Sequence, residues 1–405
     1  MTMRKICLRR IFKIINGGTP ESDEKYWNGS VPWATPIDVG SVDGKYLEST
    51  QRSLTRLGVL TGSRTIPGNS LILSTRAPIG YIAQTTGQTA FNQGCRGLVA
   101  IIPADIRYFR YQLYALRDKL VATGTGSTFM ELSTDSLAAI PMTCPSLNEQ
   151  HRIADFLDRE TSRIATLINA IYAESSLLHF KRLSLLASAF QNDGLKRARI
   201  GYYLELVTSG PRGWSEYVGS HGTPFFRSAN IRRDEIEPNL EELALVDLPR
   251  SAAAEAMRSR IRVGDVLVGI TGANTGWVSL ADERIAQANV SQHVCLVRPG
   301  KAIDGRWLAY ALSAPQIQKL LLGSQYGGTK TQLSLSNIRD LTLPLPPLGT
   351  QKRFSAAISE RLATITTARA LRDRQLALLT ERHQALITSV VTGHIDVATA
   401  RGVAT

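Results

Sequence analysis

The sequence has no cysteine pair from which a disulfide framework or a zinc ribbon could be built. Cys7, Cys95, Cys144 and Cys295 stand alone, which suits space-filling thiols in a reducing cytoplasm. The six histidines form no H-E-x-x-H pair. No apolar run approaches the roughly 18 residues of a membrane span. The basic stretch over residues 1–10 lacks the apolar core and cleavage site of a secretory signal. Phosphate-loop chemistry is missing as well, because Gly327-Gly328-Thr329-Lys330-Thr331 has the wrong order. Gly124-Thr125-Gly126 has no third glycine at dinucleotide-binding spacing. Pro346-Pro347 lacks the flanking residues of an amino-methyltransferase site, and no acidic pair with a nearby lysine forms a nuclease metal site. A binding protein is therefore expected, not an enzyme.

Proline and glycine are absent from two long intervals, residues 148–190 and 350–392. A straight helix over either would be about 65 Å long. In the first, Leu157, Ile164, Ile171, Leu178 and Leu185 recur every seventh residue, extended by Ile153 and Leu167. In the second the equivalents are Ile358, Ile365, Arg372, Leu379 and Leu386, extended by Leu362, Leu376 and Val390. A sustained seven-residue stripe predicts a coiled coil. Two such helices in one chain can pair antiparallel with a globule at each end. Glu160, Glu174, Arg369, Arg372 and His383 interrupt the stripe, and Glu174 facing Arg372 is expected to set the register.

The 405 residues carry 47 basic and 34 acidic side chains, a net charge of +13. Such an excess points to an anionic partner, most often nucleic acid. It is spread over folded segments: +6 over residues 1–147, zero over 148–190, +3 over 191–348 and +4 over 349–393. A structured binding surface is favoured over a disordered basic arm.

The chain also repeats once, at a period near 200 residues. Gln150-His151-Arg152 aligns with Gln351-Lys352-Arg353 at a shift of 201. A proline-containing stretch, Ile140-Pro141 through Leu147 or Leu341-Thr342 through Leu348, precedes each. Pro67-Gly68-Asn69-Ser70-Leu71 aligns with Val263-Gly264-Asp265-Val266-Leu267, and Gly80 with Gly276, at a shift of 196. Short apolar runs bounded by Gly and Pro predict strands at Ser70–Leu73, Leu98–Ile102, Val266–Val268 and Val294–Val297. Single helices are predicted over Ile106–Val121 and Trp307–Leu322. The expected fold class is α/β (α+β), with two mixed globules, two long helices in an antiparallel coiled coil, and pseudo-two-fold duplication. The expected segments are 1–147 (first globule), 148–190 (first helix), 191–348 (second globule), 349–393 (second helix) and 394–405 (tail).

Five stretches, in this order and partly duplicated, carry a family resemblance. They are Ile15-Asn16-Gly17-Gly18-Thr19-Pro20 with Val31-Pro32-Trp33; Ser74-Thr75-Arg76-Ala77-Pro78-Ile79-Gly80 with Phe91-Asn92-Gln93-Gly94; Leu147-Asn148-Glu149-Gln150-His151-Arg152-Ile153-Ala154-Asp155-Phe156-Leu157; Ser209-Gly210-Pro211-Arg212-Gly213-Trp214; and Leu386-Ile387-Thr388-Ser389-Val390-Val391-Thr392-Gly393-His394-Ile395-Asp396-Val397. Over nearly its whole length the chain resembles the specificity subunit of a type I restriction–modification system. The resemblance implies that each globule is a target recognition domain for one half of a bipartite, asymmetric site in double-stranded DNA. It implies that the coiled coil fixes the spacing of the half-sites and docks two methyltransferase subunits, which the restriction subunits join. No catalysis, cofactor or metal is expected in this chain. S-adenosylmethionine, ATP and Mg belong to the partner subunits, which methylate adenine and cleave DNA. A cytoplasmic protein without membrane contact is expected. The second copy departs at Gly349-Thr350-Gln351, where the first has Asn148-Glu149-Gln150, so its methyltransferase contact is expected to be differently composed.

Residues able to make paired hydrogen bonds to base edges are the DNA-binding candidates. In the first globule these are Thr35, Arg76, Asn92, Gln93, Arg96 and Ser127. In the second they are Arg212, Arg227, Asn230, Asn274, Asn289, Gln292, Lys330 and Gln332. For Asn92, Gln93 and Asn289 the competing role is to satisfy backbone groups at a turn. For Arg76 and Arg227 it is phosphate contact. Trp33, Trp214 and Trp277 are expected in the core. The docking and coiled-coil set comprises Gln150, Arg152, Ile153, Leu157, Ile164, Ile171 and Leu178 from the first helix. From the second it takes Gln351, Leu362, Ile365, Leu379 and Leu386. Three other classes fit less well: a solitary nucleic-acid-binding adaptor without a methyltransferase, a nuclease with dispersed acidic residues, and a coiled-coil scaffold.

Overall fold

A computed structural model describes residues 5–76, 78–126, 130–191, 196–323 and 332–397. The chain divides into two compact units, Met1–Ile171 with Arg374–Thr405, and Tyr172–Asp373. Each unit joins one globule to parts of both long helices.

In the first unit a five-stranded sheet has the order Phe12–Asn16, Cys95–Ala100, Leu71–Ser74, Ile82–Thr85, Tyr46–Leu47. Leu71–Ser74 and Ile82–Thr85 are buried on both faces, so neither alternates apolar with solvated positions, and the buried Gln84 and Thr85 donate to Asn69 Oδ1 and the Pro67 carbonyl. A four-stranded sheet takes Arg52–Leu54, Trp27–Ala34, Thr89–Phe91 and Thr65–Ile66. Lys5–Cys7 pairs with Pro141–Thr143, just ahead of the first long helix. The second unit repeats the plan. Leu204–Ser209, Val294–Pro299, Val266–Gly269 and Val278–Leu280 form one sheet. Val218–Gly219, Ala244–Val246, Thr223–Phe226 and Asn289–Val290 form the other. Arg197–Arg199 pairs with Thr342–Pro344. The predicted strands are present within two or three residues.

Each predicted single helix is two. Ile106–Ala115 stops at Leu116 (φ −88°, ψ 7°), and Arg117–Thr123 follows. Gly305–Ser313 stops at Ala314, whose extended backbone (ψ 137°) precedes Pro315, and Pro315–Gly323 follows. Proline disfavours helical geometry in the residue before it, so a break at Ala314 is the expected outcome of that pair. Trp33 and Trp214 are buried as expected, and Trp277 is half-buried.

The long helices span Leu147–Ala189 and Leu348–Val391. In the second, Ile358, Leu362, Ile365, Arg372, Leu376, Leu379, Leu386 and Val390 are all buried or half-buried, so the predicted stripe is the inward face. In the first, Ile153, Leu157 and Ile164 are buried and Ile171, Leu178 and Leu185 half-buried. Leu167 is not on that face. It is 48% exposed, and Ile168, Ser175 and Arg182 take the alternate positions. A residue three or four along from Ile164 fits the period equally well, and here the fourth is used. Within the second unit the segments run antiparallel. Glu174 meets Arg372 at 2.6 Å, while Leu186 and Phe190 share a core with Ile358 and Leu362. In the first unit Ile153, Phe156 and Leu157 lie in one core with Ile387, Val390 and Val391. Ile395 and Val397 pack against that core too, so the start of the expected tail is folded.

Two glutamines fix the globules to the helices. Gln150 accepts from the Asp105 backbone N–H (3.0 Å) and donates to the Pro145 carbonyl (2.9 Å). Gln351 accepts from Asp304 N–H (2.9 Å) and donates to the Ala302 and Pro346 carbonyls (2.9 and 2.8 Å). Asp105 and Asp304 each N-cap the globule helix that follows. Both glutamines are buried with their amides satisfied inside the chain. Expected on a docking surface, they instead hold each unit together. Around them the junctions differ in charge. Arg107 binds Asp105, Asp155 and Asp158 in the first, whereas Arg306 and Tyr310 meet the Ser359 hydroxyl in the second (3.2 and 2.9 Å).

Replacing Gln150 or Gln351 with Ala strands buried backbone groups, so each variant should lose about 1–3 kcal/mol of stability in denaturant titration. A loss below about 0.5 kcal/mol would remove the clamp. The half-exposed Glu174–Arg372 pair should show a coupling of about 0.2–1 kcal/mol in a double-mutant cycle, and a charge swap should restore it.

Candidate nucleic-acid interface

In each globule three loops meet at one end of a sheet because the strands are antiparallel. Asn16 lies opposite Arg96, and Cys95 opposite Ser74. The loop after Asn16, the turn before Cys95 and the loop after Ser74 therefore adjoin. In the second globule Ser209 lies opposite Cys295, and Gly269 opposite Val294. The same backbone bonds tie both clusters. Thr75 N–H donates to Gly94 O and Leu132 N–H to Thr75 O (2.8 and 2.9 Å). Ile270 N–H donates to His293 O and Leu333 N–H to Ile270 O (3.0 and 2.9 Å). Arg76 bridges Glu131, and Thr271 bridges Gln332. Glycine is required where the chain enters the cluster. A Cβ on Gly17 would lie 2.1 Å from the Asn92 carbonyl oxygen, and one on Gly210 would lie 1.9 Å from that of Val290. These are close approaches of backbone to backbone, not turns at positive φ.

The predicted DNA residues separate into supports and exposed heads. Arg96 is buried. It donates to Gln93 O (2.9 Å), Cys95 O (3.1 Å) and Thr134 Oγ1 (3.2 Å), and pairs with Glu131 (3.3 Å). Asn230 is fully buried, accepting from Arg227 N–H and donating to Asn239 O (both 2.9 Å). Asn289 is buried too and donates to Ala256 O and Ser259 Oγ. Thr35 caps the helix Pro36–Ser41 in a capping box with Asp38. The Asn92 side-chain oxygen Oδ1 accepts from Gly94 N–H (3.0 Å), the turn role. Asn274 donates to Ser228 O (2.8 Å), and Arg227 donates to Glu242 O (3.1 Å). These seven hold loops in shape through the bonds just given, although Arg227 Nε and Asn289 Oδ1 are buried without a hydrogen-bond partner among the described residues.

Arg76, Gln93, Arg212, Gln292 and Gln332 remain as solvent-facing heads. Arg76, about half exposed, rests its Nε on Glu131 (3.0 Å). Gln93 accepts from the Thr19 hydroxyl. Arg212 is exposed and makes no hydrogen bond or ion pair among the described residues. Gln332 is exposed beside Thr271. Ser127 and Lys330 lie outside the described residues. Lys13 and Arg64, missed from sequence, line a cleft of about 570 Å³ with Asn16, Gly17 and Gly18. Thr271, Glu131 and His293 were missed as well. Their partners lie far along the chain, and only the shift between repeats could have pointed to them.

Burial raises the Cys95 thiol to about 12, with Asp38 adding to the shift, and raises the Cys295 thiol too. Neither ionises near neutral pH. Among the described residues no group of three or more His, Cys, Asp or Glu could hold a metal ion. No helix among them is long and apolar enough to cross a membrane.

The family model described as the type I restriction modification DNA specificity domain matches residues 2–174 and 252–374. The chain belongs to that family. The unmatched interval between the two segments holds Arg212, Arg227 and Asn230. This DNA specificity chain is 23% identical to the type I restriction enzyme MjaIX specificity subunit of Methanocaldococcus jannaschii, over 96% of its own length and 93% of that protein. It is 26% identical to the EcoprrI specificity subunit of Escherichia coli, over 89% and 88%. Its fold is similar to a chain solved in work on complex assembly and conformational transition of the type I R-M system, with a TM-score of 0.75, 16% identity, and 97% and 98% of the two chains covered. The HsdS subunit from Thermoanaerobacter tengcongensis gives 0.51 at 17% identity, with 97% of each chain covered.

Arg96→Ala should cost about 1–3 kcal/mol of stability, because it removes the donor from the Gln93 and Cys95 carbonyls and leaves Glu131 to Arg76 alone. Arg76→Ala, at an exposed pair, should change stability by no more than about 1 kcal/mol. Thermal melts of the two variants separate support from head, and equal losses would contradict the division.

Proposed function

We propose that the chain is the DNA sequence-recognition subunit of a type I restriction–modification complex, in which each globule reads one half of a bipartite asymmetric site. The observation that carries this reading is the duplicated loop cluster with unlike heads. One hydrogen-bonded frame presents Arg76 and Gln93 in the first globule and Thr271, Gln292 and Arg212 in the second. Identical heads would demand a two-fold symmetric site, and unlike heads select unlike half-sites. Arg76 is suited to a guanine edge, and Gln93 and Gln332 to adenine. Lys13, Arg64 and Arg212 supply phosphate contacts, the sequence-independent share of affinity. Net charges of +6 and +3 over the two globules favour such contact.

The long helices set the spacing of the half-sites and dock two methyltransferase subunits, with restriction subunits joining that core. Exposed Leu147, Leu167, Tyr172, Leu177 and Phe180 on the first helix, and Phe354, Leu371 and Leu378 on the second, are apolar outer residues available for docking. Arg152, exposed beside Glu149, joins them. The chain contributes recognition. Adenine methylation with S-adenosylmethionine, and DNA cleavage with ATP and Mg, lie in the partner subunits, and the complex works in the cytoplasm.

Co-expression with the methyltransferase of the same system, followed by genome-wide mapping of adenine methylation, tests the reading. One motif with two unlike halves and a fixed gap is expected. A soluble chain that forms no complex with the methyltransferase, yet binds nucleic acid, would contradict it.

A further inference from the structure

The second globule contains a polar chain that no sequence motif marks. Thr271 occupies the backbone position that Arg76 holds in the first globule, each bridging a residue of the segment beyond the globule's helices. Thr271 carries no charge. Its Oγ1 lies 2.6 Å from Nδ1 of His293. The other ring nitrogen of His293 lies 3.3 Å from Nε2 of Gln292. The Gln292 carbonyl accepts from the Gly213 backbone N–H at 3.2 Å.

That last bond orients the chain. A backbone N–H can only donate, so Gly213 fixes the Gln292 amide with its oxygen toward the loop and its NH₂ toward His293. An NH₂ group can only donate, so Nε2 of His293 is the acceptor and the ring proton sits on Nδ1. Nδ1–H then donates to Thr271 Oγ1, and the Thr271 hydroxyl proton is left to point away from the chain. The second Gln292 N–H is left over as well. His293 is exposed, and Thr271 and Gln292 are half-buried. Two donors are therefore held outward at fixed places, on the same sheet end where the first globule presents an arginine.

We propose that Thr271, with His293 and Gln292 as its positioning residues, is a specificity-determining element of the second recognition globule, donating to an acceptor on a base edge. The assignment rests on the reading of the chain as a DNA-recognition subunit. In place of a charged fork that would favour guanine strongly, this half-site is read at the corresponding position by a neutral hydroxyl whose oxygen is held by His293.

The test uses the full chain in complex with its methyltransferase, with methylation mapped at every site matching either half of the motif. Thr271→Val removes the hydroxyl at constant shape, Thr271→Ser keeps it, and His293→Phe keeps a ring but breaks the chain. Thr271→Val should lose discrimination by about tenfold or more at one base pair of one half-site, with the other half unchanged. His293→Phe should loosen the same base pair, and Thr271→Ser should retain the wild-type motif. An unchanged motif in Thr271→Val and His293→Phe would overturn the proposal. So would a uniform loss over all sites with base preferences intact, which marks a phosphate contact. A wild-type complex that methylates no two-part motif would overturn the recognition reading itself, and this assignment with it.

Discussion

The architecture depends on a buried side-chain amide at the start of each long helix. Gln150 and Gln351 each bind the backbone N–H of the aspartate that caps a globule helix, and the carbonyl of a proline leading into the long helix. Three segments are thereby fixed at one point: the globule helix, the proline-containing link after the strand and the long helix. A buried amide without partners is costly, so the clamp is strongly specified once formed. The surrounding contacts are free to vary. One junction uses an arginine among three aspartates and the other uses hydroxyls, yet the clamp geometry is the same within a tenth of an ångström at the capped N–H.

Constancy of the frame allows variation at the sheet end. Bonds from Thr75 and Ile270, and from Leu132 and Leu333, place two loop clusters on equivalent backbones. The side chains that project are unlike. In the first globule a carboxylate, Glu131, joins Arg76 to a buried Arg96. In the second a neutral sequence of hydrogen bonds runs from Gly213 to Thr271. A charge-assisted bond is the stronger of the two. The two globules thus differ in recognition chemistry while sharing support.

Much of this is legible in the sequence alone. The empty record of proline and glycine over residues 148–190 and 350–392 marked both long helices almost to the residue, because either residue breaks a helix interior. The stripe from Ile358 to Val390 was correct, and so was the Glu174–Arg372 pairing. Leu167 failed, since a period of seven leaves a choice between the third and fourth neighbour that packing decides. The glutamines were visible as the best-aligned feature of the repeat, but alignment alone does not distinguish a clamp from a docking patch. Among the loop candidates, Arg96, Asn230 and Asn289 have the residue types of base readers and the burial of supports. Composition cannot separate those roles. Thr271 and His293 were invisible because the shift between repeats changes from 196 to 201 within the globule, so their counterparts emerge only when strands are paired.

The claim at the centre of this account is that a globule can change what is read without changing how it is held. Transplanting residues 197–340 from a relative with a different DNA site, while keeping both clamps and both long helices, tests it most directly. Methylation mapping of the hybrid complex should give a motif in which one half is the donor's, the other half is unchanged and the gap is the same length. A hybrid that alters both halves, or changes the gap, would show that the heads and the frame are not separable.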